Sequence, residues 1–599
     1  MNKNFLLYSV AAVVTAGVLS VPVYKLFTQA DAKTPSQKIV GKKSVVEAPK
    51  AVLSIPSIQP ATTRVIPTGI VPSIVTPVQN SMPILKITPS KIVHKEVVSV
   101  VEKIKVTKVI IEGNTILNNK ILEAKTNSLL GTFATIEDLK KMALDMTSLY
   151  IKAGYGLDRF IVPEQNFEGG IVTFKAIETK YGKVTIKNSS QVKNSVVEST
   201  LSTIAGSSVD TKKLNHNLFL LSDIPGLKPS ASLSPGAVPG TSDLLVELPE
   251  QPRFDATAGF NNYGVAYLGA FQFQGSASIN NLFHFGDLFS VTATSAGQGF
   301  DYVNINFSTP VGGYGTKVGM GYAAMNYKMG LGFQPFSFMN SGNVAAYDAL
   351  GSSGYGQTAT FWASQPIIRT ENTNIATTLS YAHSAFSDTY AQGVGNTRTL
   401  DVFSAGLSGY TKESGFLSSA TDSFSLAYAP YLLSTNASAF AINPMLATTP
   451  GFRSIWTGAL GRIQNLPGIG NTFSLQANGQ IASGILDPMQ QFVLGGQSSV
   501  QAYSEAALFG SEGFLSSATF AHVQESNFGI FTSSAFYDFG GIGGAGSPLL
   551  TIQGPGVSEA WTKGHWSANL DIATPVGGTP GIIGSTPGIQ LWAGISAHY

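Results

Sequence analysis

The sequence predicts a chain of two unlike parts: small α+β modules behind a leader and linker, then an antiparallel transmembrane β-barrel of about 16 strands. Three observations carry this. Only 12% of the 599 residues are charged, against roughly 25% in soluble domains, so much of the surface faces something other than water. The two parts also differ in sign: 29 basic and 19 acidic residues precede Phe254, and 8 and 16 follow from it, giving +10 and −8. A shift of that size marks a boundary. From Phe254 on, segments such as "LFSVTATSA", "TATFWASQPI", "NTFSLQANGQIA" and "FGIFTSSAFYDFG" alternate apolar with small or polar residues. No apolar run there approaches the about 20 residues that a membrane helix needs.

Residues 1–32 read as a signal peptide, with Lys3, the apolar run "FLLYSVAAVVTAGVLSVPVY", Lys25, and small-residue cleavage options after Ala30 or Ala32. The absence of cysteine fits an exported chain that avoids disulfide chemistry. From 33 to 104 prolines recur, from Pro35 and Pro49 through Pro83 and Pro89. Closely spaced proline removes helix donors and favours extended chain, so this stretch reads as a semi-rigid tether.

Residues 105–180 form the first module. Leu139, Met142, Ala143, Met146, Leu149, Tyr150 and Ala153 repeat at the three-and-four spacing of one helix face. Thr135 with Asp138 makes a capping-box start, and Gly154 suits a left-handed stop. Short β-rich runs flank this helix at 106–112, 159–162 and 171–177. Residues 181–252 read as a looser second copy: "YGKVTIKN", helical stretches near 192–204 and 211–221, then "GLKPSASLSP" and "TSDLLVELPE". Two copies in succession suggest a small tandem array, and open sheet edges in such modules are natural sites for an added strand.

The barrel occupies 253–599. Alternation means that each strand separates two environments. In this chain the partner set to the apolar residues is Ser, Gly, Asn and Ala rather than Lys and Glu, which fits apolar residues toward lipid and small polar ones toward a lumen. Less regular runs near Tyr267, Thr399, Ser454 and Leu549 complete the strand count. Short connections such as "RTENT" and "QESN" alternate with long ones near 328–356, 433–453 and 484–511, as in a barrel with turns on one side and loops on the other. The stretch "FVLGGQSSVQAYSEAALFG", at 492–510, has no periodicity and reads as a loop folded back into the lumen. Tyr599, on the last alternating strand, resembles the assembly signal of outer-membrane barrels.

An enzyme finds little support. The seven histidines show no ligand spacing and no G-x-S-x-G elbow occurs. "GIGGAG" at 541–546 matches the dinucleotide pattern G-x-G-x-x-G, yet Pro548 follows and helical periodicity does not. No catalytic residue, metal, cofactor or nucleic-acid partner is expected.

Taken in order, "EGNT" (112–115), "LYIKAGY" (149–155), "VPEQNFEGGIVTF" (162–174), "LLSDIPGLKPSASLSPGAVPGTSDLLVEL" (220–248), "FGDLFSV" (285–291), "LGGQSSVQAY" (494–503) and "FYDFGG" (536–541) resemble the outer-membrane transporters of two-partner secretion, within the Omp85 superfamily. The resemblance implies two periplasmic polypeptide-transport-associated (POTRA) domains and a 16-stranded barrel. It also implies passage of one large exoprotein, recognised by its N-terminal secretion domain, unfolded to the cell surface. Implied further partners are periplasmic chaperones, the barrel-assembly machinery and outer-membrane lipid. An N-terminal plug helix is common in the family, and only Gln37 to Glu47 offers a candidate.

The resemblance also assigns the loop tip to Val500, Gln501, Ala502 and Tyr503, and its barrel-wall partner to Asp538. The family's tip reads Val-Arg-Gly-aromatic, so Gln501 stands where an arginine is expected and Ala502 where glycine is. A neutral amide in place of a bidentate guanidinium predicts a weaker bond from the Gln501 side chain to Asp538. Two rivals remain: an insertase of the same superfamily, and a passive porin, which leaves the two modules unexplained.

Overall fold

The computed structural model describes residues 84–87, 103–297, 299–328, 353–389, 395–415, 418–435, 450–544, 547–578 and 588–599. The expected signal peptide, most of the linker and Gln37 to Glu47 lie outside the described residues. Residues 80–251 form one compact unit and the strands beyond Pro252 another.

The linker contains a strand. β1 (Ile84–Ile87) pairs in parallel with Ser230–Pro235, so the expected spacer is corrected at this point. "ILKI" lies between Pro83 and Pro89. Its own amides are intact, and they meet a sheet edge with free partners. β2 (Ile104–Lys105) then opens the first module, followed by β3 (Lys108–Glu112), α1 (Asn119–Thr126), β4 (Phe133–Ala134), α2 (Ile136–Ala153), β5 (Arg159–Ile161) and β6 (Ile171–Ile177). The sheet runs β3-β6-β5, with β3 parallel and β5 antiparallel to β6.

Helix α2 begins where the sequence places it. Thr135 accepts from the Asp138 amide, and the Asp138 carboxylate accepts in return from the Thr135 backbone. It stops at Gly154, whose φ of 105° is left-handed, a conformation glycine adopts without a Cβ penalty. Its apolar face, Leu139, Met142, Ala143, Met146 and Tyr150, packs with Phe160, Val172 and Phe174.

The second module repeats the order: β7 (Lys180–Asn188), α3 (Asn194–Leu201), α4 (Thr211–Ser222), β8 (Ser230–Pro235) and β9 (Thr241–Leu248), with sheet order β1-β8-β9-β7. Its core gathers Val197, Leu201, Leu214, Leu218 and Leu221 against Leu233, Leu244 and Val246. One device marks the repeat. Where the chain leaves the strand that precedes the first helix of each module, an asparagine holds the turn: Asn114 Nδ2 donates to Leu117 O and Asn119 Oδ1, and Asn188 Nδ2 donates to Val192 O and Asn194 Oδ1.

The second unit begins with β10 (Phe254–Asn261), the short α5 (Ala266–Gly269), β11 (Gln272–Asn280), β12 (Leu288–Ser295), β13 (Phe300–Val311) and β14 (Thr316–Lys328). It continues with β15 (Ser353–Arg369), β16 (Thr373–Thr389), β17 (Gly395–Gly415), β18 (Ser418–Thr435), β19 (Gly451–Asn465) and β20 (Asn471–Ala482). A small hairpin, β21 (Phe492–Leu494) with β22 (Leu508–Gly510), precedes β23 (Glu512–Ser526), β24 (Gly529–Gly544), β25 (Ser547–Lys563), β26 (Trp566–Ala573) and β27 (Gln590–His598). Apart from the hairpin, the sixteen strands β10 to β27 close into one antiparallel barrel.

The run near Tyr267 is a correction: it forms α5, and the strand follows at Gln272. Four alternating residues are too few to separate a strand from a helical turn. The barrel closes where β10 meets β27, and the Tyr599 N–H donates to Ala256 O at 2.8 Å beyond the last strand.

Alternation fixes which side faces out. Leu379, Phe403 and Trp456 are 60%, 59% and 48% exposed, whereas Ser404, Ser425, Thr457 and Gln480 are buried in the lumen. No described helix is long and apolar enough to cross a membrane. Closure pairs every strand edge, which is the condition for strands to live in hydrocarbon.

Candidate functional site

The connection from β20 to β23, residues 483–511, folds into the lumen. Its root is a short turn over Pro488–Gln490, capped by Asp487 Oδ1, which accepts from the Met489 N–H at 2.9 Å. Gln480 on the wall donates to Gln490 O at 2.8 Å and Ser511 O at 3.1 Å, tying both ends of the loop together. The hairpin β21–β22 carries the chain to the tip. There Gly495 has a φ of 97°, and a Cβ on it would stand 2.1 Å from Ser504 O, so only glycine fits.

The tip rests on three wall strands. The Gln501 N–H donates to Asp538 Oδ2 at 3.2 Å, and Ser517 on the neighbouring strand donates to Asp538 Oδ1 at 2.7 Å. Trp592 Nε1 on β27 donates to Gln501 O at 3.0 Å. Gln497 Nε2 donates to Asp571 Oδ2 on β26 at 2.7 Å, and Ser558 holds the other oxygen of Asp571. Val500, Ala502 and Tyr503 are fully buried in an apolar cluster with Leu494, Leu508, Phe536 and Ile552.

The expected contact between the Gln501 side chain and Asp538 is therefore made by the Gln501 backbone. Its side-chain Oε1 is buried with no hydrogen-bond partner among the described residues. Glutamine is shorter than arginine and lacks its fork, so the main chain reaches the carboxylate instead. The side-chain amide that does meet a wall carboxylate at the tip is that of Gln497, on Asp571, which the sequence reading missed; nothing in its spacing distinguishes it from other loop amides. Tyr599 is 85% exposed and stacks edge-on to Phe254 at a centroid separation of 6.4 Å.

The root packs on the opposite part of the wall. Leu486 and Met489 join a lumenal cluster with Tyr302, Tyr327, Leu400, Tyr431 and Ile455. Asp487 is fully buried, with its N–H donating to the Tyr431 hydroxyl at 3.2 Å and its carboxylate 3.0 Å from Arg398 Nε. The loop thus crosses the lumen, from β17 and β18 at its root to β24, β26 and β27 at its tip.

The comparisons with known proteins agree with this architecture. The family model for haemolysin secretion/activation protein ShlB/FhaC/HecB matches residues 240–554, more than half of the chain, and a ShlB-type POTRA domain matches 104–179. The heme/hemopexin transporter protein HuxB of Haemophilus influenzae is 25% identical over 464 residues, covering 75% of this chain and 79% of that protein. The outer membrane transporter CdiB of Dickeya dadantii is 23% identical over 222 residues, covering 36% and 38%. Among solved structures, CdiB from Escherichia coli superposes with a TM-score of 0.68 at 18% identity, over 86% of this chain and 93% of that one. CdiB from Acinetobacter baumannii gives 0.64 at 13% identity over the full length of both. This protein belongs to the haemolysin secretion/activation (ShlB/FhaC/HecB) family, the outer-membrane transporters of two-partner secretion, which are not enzymes and whose POTRA domains lie in the periplasm.

Proposed function

We propose that this chain takes up one large exoprotein through its POTRA domains and passes it, unfolded, through the barrel to the cell surface. The observation that supports this best is the loop spanning the lumen: a closed barrel is plugged by its own chain through noncovalent contacts alone, so it opens by moving a segment and not by breaking the wall. Val500, Gln501, Ala502 and Tyr503 are then the moving tip, and Asp538 its resting partner. An extended exoprotein fits because only unfolded chain has the cross-section of a displaced loop, and refolding outside supplies a direction without nucleotide hydrolysis. The secretion domain at the exoprotein's N-terminus is what the POTRA edges bind, by strand addition. Delivery of the transporter itself draws on periplasmic chaperones and the barrel-assembly machinery, with Tyr599 in the assembly signal.

The test removes residues 105–180 and co-expresses the variant with the product of the adjacent reading frame. A folded barrel should still reach the outer membrane, and that product should vanish from the medium. Continued secretion would remove the recruitment role from the first module. Loss of many unrelated barrels on depletion of the intact chain would favour an insertase instead.

A further inference from the structure

Arg398 on β17 and Asp388 on β16 face the lumen, each with a side chain 3% exposed, and Asp487 on the loop root is fully buried beside them. Arg398 Nη1 donates to Asp388 Oδ2, and Tyr327 Oη donates to Asp388 Oδ1 at 2.9 Å. Arg398 Nε lies 3.0 Å from Asp487 Oδ2, an ion pair between the wall and the root of the loop. The guanidinium also stands 4.9 Å over the Phe386 ring.

Burying a cation between two carboxylates carries a desolvation cost that an apolar filling avoids, and removing one partner strands the others. Around this triad the lumen is filled with Leu, Tyr and Met, so closure alone does not call for charge. What the triad adds is a charged contact between a loop residue and the wall. At the tip, by contrast, the contacts described above are made by amide and indole donors.

We propose that Arg398, through Asp487, positions the root of the inward loop, and that the loop clears the lumen by releasing its tip while this root contact holds. The proposal rests on the reading of the barrel as a channel that the loop closes. It deepens that reading by naming the fixed end.

The test uses the purified full chain in planar bilayers in KCl, together with maleimide labelling of single cysteines, which the chain otherwise lacks. Asp487→Asn keeps the oxygen that caps Met489 and removes the charge. Freed at its root, the loop gains a second way out of the lumen: open events should become about ten-fold more frequent, equivalent to about 1.4 kcal/mol, and a Met489→Cys reporter should label faster by a similar factor. Arg398→Lys, which retains charge, should fall between this variant and the parent. In the parent background Ser499→Cys should react while Met489→Cys stays protected; equal reactivity would overturn the tip-first order. A folded Asp487→Asn barrel with parental conductance and labelling would overturn the proposal, as would a change confined to its unfolding temperature. If Asp487→Asn does not fold, parental behaviour of Arg398→Lys overturns it equally. Neither readout involves an exoprotein. A parent that never conducts would count against the channel reading, and the labelling would still decide the root contact.

Discussion

The two modules that precede the barrel share a plan and differ at their edges. Asn114 and Asn188 hold the same turn in each, and two helices cover each sheet. In the first module the sheet ends at β3 on one side and β5 on the other. In the second, β8 would be such an edge, but β1 from the chain's own linker lies along it. A strand could reach β8 only by displacing Ile84–Ile87, whereas β7 remains the edge on the other side of the sheet. The difference teaches that the linker is more than a spacer: it sets how available one sheet edge is.

Deleting residues 84–87 from the full chain is the strongest way to break this contrast. The amides of Ala231 to Ser234 that face β1 should then exchange about 100-fold faster, as protection falls to that of an open edge. Exchange rates matching the parent would mean that β1 does not cover β8 in solution. The same deletion should strengthen binding of a synthetic Met82–Pro89 peptide, since the vacated edge accepts its own strand back.

A second contrast lies where the modules join. Asp158, 1% exposed, accepts from the Thr179 N–H at 2.8 Å, while its Oδ2 is buried without a hydrogen-bond partner among the described residues. Burial pushes its carboxyl up to about 6, against about 3.9 in an unfolded chain. An acid with a raised folded-state pKa binds its proton more tightly when folded. Its contribution to stability is present below about pH 4 and is lost as pH rises through about 6. Glu178 runs the other way: burial opposes its ionisation, but bonds from Thr115, Tyr150 and Ile116 hold its carboxyl below the ordinary range. Its contribution is lost as pH falls through that depressed value.

Asp158→Asn keeps the acceptor for Thr179 and discards the buried charge. At pH 7.5 the periplasmic unit should gain on the order of 2 kcal/mol, taking about 1.4 kcal/mol per pKa unit, and the gain should disappear by about pH 4. Pulse proteolysis across urea concentrations reads this; a variant less stable than the parent at pH 7.5 would sink the argument.

What the sequence disclosed follows the range of each interaction. The capping box of Thr135 with Asp138 and the stop at Gly154 are local, and composition displays them. The barrel strands are legible because period two is imposed by the pleat itself. The partnership of Ile84–Ile87 with Ser230–Pro235 is not, since four residues of "ILKI" carry no mark of their distant edge. The tip was legible through its family pattern, which named Gln501 but could not show that its backbone, not its side-chain amide, meets Asp538. Arg398 was within reach: in "RTLDVFSAG" it has the parity of Leu400 and Val402, opposite to lipid-facing Phe403, and an inward arginine on a barrel wall asks for a partner. That the partner is Asp487 depends on how the loop folds, which no spacing encodes.

The smallest effect bears on whether the two modules act as one body. The carbonyl of Gly154, at the end of α2, accepts from the Thr211 N–H at 2.9 Å and from the Thr211 hydroxyl at 2.8 Å, at the start of α4. One helix's negative end thus meets the other's positive end. Thr211→Val keeps the shape and the backbone bond and removes the hydroxyl, at a cost of about 1 kcal/mol. Because that cost falls on the junction and not on either core, its sign is a loss of cooperativity. Exchange of α2 and α4 amides, which should change together with denaturant in the parent, should separate into two steps in the variant. A single step at lower stability would mean that the modules are coupled elsewhere, and that what happens at the edge covered by β1 is transmitted to the first module by another route.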